Sequence, residues 1–66
     1  MYYRHKGYGF NVTSAQLPAS QRWAFVAEID KDEQPVKKIA SKETFATAKE
    51  AQTEGLSAAR KWIDER

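Results

Sequence analysis

The sequence predicts an α+β domain, a three-stranded antiparallel meander packed on one C-terminal helix. Three observations predict it. Apolar residues alternate with a period of two over Tyr8–Val12 and again over Trp23–Ile29, which is the pattern of half-buried strands. Beyond Thr47 the apolar spacing changes to that of a helix, with one face to bury. The connections are short, so consecutive strands become antiparallel neighbours with the second strand in the centre.

The first strand is expected over Tyr3 to Thr13, with Tyr8, Phe10 and Val12 inward and Gly7, Gly9 and Asn11 on the other face. Glycine weakens a strand but permits a bulge or the close approach of another backbone. Ser14 to Gln21, with Pro18, has no period and reads as a loop. The second strand is the best in the chain. Trp23, Phe25, Ala27 and Ile29 share one face, and Ala24, Val26, Glu28 and Asp30 share the other; aromatic and β-branched residues suit a pleated surface. Asp30 to Pro35 is a turn, because acids and proline favour local hydrogen bonds over a ladder. Val36 to Ser41 makes the third strand, with Ile39 inward so that Lys38 is not buried.

The helix is expected from Thr47 to about Asp64. Thr47 followed by Glu50 has the spacing of a capping box. Ala48, Ala51, Gly55, Ala58, Ala59 and Trp62 fall on one side, flanked by Leu56 and Ile63. The fourfold spacing of Ala51, Gly55 and Ala59 makes a smooth strip for close packing on the sheet. Gly55 costs about 1 kcal/mol of helix propensity relative to alanine, which close packing would offset. Phe45, just before the cap, should plug the end of the core.

Composition narrows the function. The chain has 66 residues and no cysteine. A single domain of this size hides only about 60% of its unfolded surface, with no disulfide or thiolate-bound zinc to reinforce it. No apolar run approaches the roughly 20 residues of a membrane helix. The charged start, Arg4-His5-Lys6, leads into no apolar segment, so no signal peptide is expected and the expected location is cytoplasmic. The formal net charge is only +2, less than is usual for a small free-standing nucleic-acid binder.

No catalytic or cofactor-binding constellation assembles. There is one histidine, His5, without the partner ligands of a zinc site and without a Gly-x-Ser-x-Gly elbow. Asp30-Lys31-Asp32-Glu33 begins like a calcium loop but lacks its glycine at the sixth position and its glutamate at the twelfth. Gly7-Tyr8-Gly9 is not followed by the third glycine and helix of a nucleotide fingerprint. The expectation is therefore no enzyme, no metal, no cofactor and no small-molecule site.

What remains is the outward face of the sheet. Ala24, Val26 and Glu28 would lie there on the second strand and Lys37 and Lys38 on the third, flanked by Arg22, Lys6 and Arg4. A small domain gains by covering Ala24 and Val26, so a homodimer or another protein partner through this face is the first expectation. Nucleic acid is the alternative, with these bases and Lys42 on phosphates and Tyr2, Tyr3 or Tyr8 stacking on bases.

Two resemblances bear on this reading. Lys6-Gly7-Tyr8-Gly9-Phe10, Trp23 through Ile29, Glu43 to Thr47, Glu50-Ala51, Gly55-Leu56 and Ala59 to Asp64 together resemble a group of short bacterial proteins with no assigned function. That resemblance spans nearly the whole chain and implies a compact single domain. Val26-Ala27-Glu28-Ile29 and Thr44 to Ala51 resemble the plant ethylene-response-factor type DNA-binding domain, a three-stranded sheet on one helix. That family reads the major groove with arginines and tryptophans of the exposed sheet face. Here the position after Ile29 is Asp30 and the third strand has no tryptophan, so the match lies in core and cap residues. A shared fold does not carry a shared function.

Overall fold

The computed structural model describes residues 2–66. Four strands precede one helix: β1 (Tyr2–His5), β2 (Tyr8–Gln16), β3 (Trp23–Lys31), β4 (Gln34–Ala40) and α1 (Ala48–Asp64). They form an antiparallel meander in the order β1-β2-β3-β4. The expected α+β class and C-terminal helix are present, but the sheet has four strands rather than three.

The extra strand arises because the expected first strand is a hairpin. Lys6 and Gly7 both have positive φ, 51° and 84°, and they connect the facing pair His5 and Tyr8. Positive φ at both central residues is the mark of the type I′ turns that join twisted antiparallel strands. Gly7 adopts it without a Cβ penalty; Lys6 is an unusual occupant, which is why the turn is not evident in the sequence. The β3–β4 connection repeats the geometry at Asp32 (φ 52°) and Glu33 (φ 66°).

Two further boundaries differ from expectation. Ser14, Ala15 and Gln16 extend β2, because each faces a residue of β3: Phe25, Ala24 and Trp23. The ladder overrides their weak local preference. β4 begins at Gln34 and includes Pro35, at a register shift beside Ile29 and Asp30. Proline is accommodated there because β4 is an edge strand and the shift removes one ladder bond.

The helix covers β2 and β3. Its buried stripe is Ala51, Gly55, Ala59 and Ile63, an unbroken i, i+4 row. Ile63 lies on this stripe and Trp62 flanks it half-buried, the reverse of the expected arrangement. Against the stripe pack Phe10, Val12, Phe25, Ala27 and Ile29. Phe10, Ile29 and Ile63 are the largest side chains fully removed from solvent. Ile39 faces Ala27 and packs on the edge of this core, as expected.

Both helix ends are fastened by specific contacts. Thr47 Oγ1 accepts the Glu50 N–H at 3.1 Å, which satisfies one of the orphan donors of the first turn. Phe45 exchanges both backbone hydrogen bonds with Trp23, each at 2.8 Å, and stacks on Phe25, closing that end of the core. Arg22 donates through Nε to Thr44 Oγ1 at 2.6 Å and through Nη2 to the Thr44 carbonyl at 2.8 Å. At the other end, one carboxylate oxygen of Asp64 receives His5 Nε2 at 2.7 Å and Lys6 Nζ at 2.9 Å, tying the first hairpin to the last helical turn.

These two hydrogen bonds hold the Asp64 carboxyl below its ordinary value of 3.8, with Lys6 the larger cause and His5 the second. A carboxyl depressed in the folded state stabilises it above the unfolded pKa, and that contribution is lost as pH falls through the folded value. The pair is exposed, so its worth is small. Asp64→Asn should therefore leave stability at pH 2 almost unchanged and lower it slightly at pH 6, measured by urea midpoints at both pH values.

Candidate functional site

The helix leaves one face of the sheet bare, and the register states which residues occupy it. Across the strands run the rows Tyr2–Asn11–Glu28–Lys38 and Thr13–Val26–Ala40, with Ala15 beside Ala24 and with Arg4, Gly9 and Asp30 at the hairpin end. Ala15, Ala24, Val26 and Ala40 form a flat strip of small apolar side chains. A shallow groove of about 470 Å³ adjoins it, lined among others by Tyr2, Asn11, Glu28, Asp30, Glu33 and Lys38.

The contact that Tyr2 makes is the feature that sequence reasoning missed. Its ring crosses β2 over Gly9 and its hydroxyl donates to Asp30 Oδ1 at 2.6 Å. That bond is the main reason the Tyr2 hydroxyl holds its proton beyond the ordinary tyrosine value of 10.0; slight desolvation and the Asp30 charge act in the same direction. Gly9 is what makes the crossing feasible. A Cβ there would overlap the Tyr2 ring and stand 2.8 Å from Asp30 Oδ1. Gly9→Ala should displace Tyr2 and cost about 1 kcal/mol, the usual net value of a lost hydrogen bond. In a Tyr2→Ala background the same change should cost nothing, so a double-mutant cycle read by urea unfolding should show coupling of about 0.5–1.5 kcal/mol.

The expected site residues divide into two groups. Ala24, Val26, Glu28, Lys38 and Arg4 share the open face by register. Lys6, Arg22 and Lys37 do not join them. Lys6 is held by Asp64 and Arg22 by Thr44, so both charges serve the fold. Lys37 faces Ile29, whose side chain is buried under the helix, so strand alternation turns it to the helix side and leaves it only at the groove rim. Of the three tyrosines weighed for base stacking, Tyr3 lies on Phe10 with ring centroids 5.4 Å apart and Tyr8 meets Trp62 edge-on at 6.0 Å. Only Tyr2 remains on the open face.

The charge of that face is therefore not that of a phosphate-binding surface. Arg4 and Lys38, with Lys37 at the rim, stand among Glu28, Asp30 and Glu33, so bases and acids balance. Asp30, where the ethylene-response-factor type carries an arginine, accepts the Tyr2 hydrogen bond. The four-stranded sheet departs from that family's three strands as well.

Comparison with known families places the chain. The family model described as Domain of unknown function (DUF6566) matches residues 1–66. The chain belongs to this family. The match covers the whole sequence and agrees with the resemblance to short proteins without an assigned function. No curated protein and no solved structure matches significantly. Among the described residues, no helix is long and apolar enough to cross a membrane.

Proposed function

We propose that this domain is a non-enzymatic, cytoplasmic interaction module whose binding surface is the open face of the sheet. One observation carries the reading. Ala15, Ala24, Val26 and Ala40 sit side by side in the register with no helix or strand over them among the described residues, while the opposite face is covered by α1. An exposed apolar strip rimmed by polar residues is the kind of surface that marks an interaction site. The one histidine, His5, is occupied by Asp64 at the hairpin end, away from this strip. No observation favours the nucleic-acid alternative, since two of its bases are committed to the fold.

Site-specific photo-crosslinking in living cells tests the reading. A photoreactive residue at position 26 should give adducts, and these should vanish when Ala40→Asp places a charge in the same strip. The same probe at position 54, on the exposed side of the helix, should give none. Equal labelling from both positions, or none from position 26, would remove the open face from consideration.

A further inference from the structure

We infer that the partner is a second copy of this chain, packed open face to open face about a two-fold axis parallel to the strands between β2 and β3. The inference rests on the open face being the interaction surface and says what covers it.

The two halves of the face differ in charge and complement each other. The β1–β2 half contributes Tyr2, Arg4, Asn11, Thr13 and Ala15 and no acid. The β3–β4 half contributes Glu28, Asp30 and Glu33, with Lys37 and Lys38 at the edge. A rotation about the stated axis lays each half on the other. Ala15 then faces the second copy's Ala24, Thr13 faces its Val26, and Asn11 faces its Glu28. Arg4 meets the end that carries Asp30 and Glu33. The contact is isologous, so each of these pairs occurs twice. The rows Thr13–Val26–Ala40 and Ala15–Ala24 hold only small side chains, which lets two twisted sheets approach to roughly 10 Å, with strands within about 30°, at that end of the face.

The edges offer a poorer route to association. β4 carries Pro35, Lys37, Lys38 and a register shift, all of which discourage edge-to-edge pairing. β1 is only four residues long. Area also favours a whole-face contact. The molecule measures 37 × 18 × 18 Å, so its outline allows a face of at most about 650 Å² and a dimer burying up to about 1,300 Å², the lower part of the range of specific interfaces. A contact over the groove alone falls short of that range.

Sedimentation equilibrium of the purified protein from micromolar to millimolar concentration, at low salt, tests the inference. A monomer–dimer equilibrium is expected. Arg4→Glu and Glu33→Arg should each weaken it about tenfold, because each breaks two symmetric charge pairs, and the double variant should recover most of the loss. Val26→Asp should abolish dimerisation, with thermal melts confirming that each variant is folded. A monomer at millimolar concentration overturns the inference, as does a dimer indifferent to the single charge reversals or a double variant that shows no recovery. If position 26 cross-links to a different protein while sedimentation reports a monomer, the second copy is excluded and the open-face reading stands. If neither experiment gives a contact, both fall.

Discussion

Gly55→Leu should prevent the domain from folding. A Cβ at Gly55 would lie 2.5 Å from Val12 Cγ1 and 3.0 Å from two ring carbons of Phe25. Val12 and Phe25 are themselves buried, at 4% and 7% exposure, so neither can move aside without displacing the sheet. Overpacking of an ordinary core site costs about 1–3 kcal/mol, and a leucine adds three more carbons beyond the one that already collides. Gly55→Ala separates the two opposing terms. Alanine gains about 1 kcal/mol of helix propensity, yet its methyl group must push the helix off Val12. Net destabilisation in urea is expected, which would mean the contact outweighs the propensity. Adding Val12→Ala should recover stability, since it removes the colliding atom. A stabilised Gly55→Ala protein would show that the helix can lift away without cost.

Phe10→Ala should be as severe for the opposite reason, a cavity. Phe10 has no exposed surface. It faces Ile29 across the ladder and stacks on Tyr3, so it joins β1, β2 and β3 to the helix. Truncating a buried phenylalanine costs about 3–5 kcal/mol. A domain of this length is stabilised by only about 3–10 kcal/mol in all. The variant should be largely unfolded at 37 °C, with far-UV circular dichroism and a lost unfolding transition as the measurements. A core able to collapse around the gap would instead keep a cooperative transition at a lower midpoint.

Much of the fold was legible because the period of apolar residues is a local property. The alternation of Trp23 to Ile29 and the fourfold spacing of Ala51, Gly55 and Ala59 identify which faces are buried without reference to anything distant. Thr47 and Glu50 mark the helix start for the same reason: the orphan N–H groups of a first turn are satisfied by residues three apart. The close packing at Gly55, and the inward side of Ile39, follow from those faces alone.

The candidate site was legible only in part. Alternation placed Ala24, Val26 and Glu28 outward, and the structure keeps them there. It could not show that Lys6 and Arg22 are spent on Asp64 and Thr44, because those partners lie 58 and 22 residues away in sequence and no local pattern encodes them. Lys37, by contrast, follows from alternation: two residues from the inward Ile39, it shares that side, and the unbroken pairing of Ile39 with Ala27 and Lys37 with Ile29 bears this out.

By itself, then, the sequence determined the α+β class, the helix with its cap and buried strip, the central strand and the apolar patch on the outward face. The tertiary structure decided the fourth strand, since a Lys-Gly turn becomes recognisable only when both residues take positive φ under pairing of His5 with Tyr8. It decided the extension of β2 through Gln16, held by its ladder to β3 rather than by propensity. It also decided the charge of the open face, by setting Glu33 beside the Tyr2–Asp30 pair and removing Lys6 and Arg22 from it. The physical reason is common to all three. Periodicity reports which way a side chain points, whereas pairing, hydrogen bonding and charge neighbourhood depend on what the folded chain brings opposite to it.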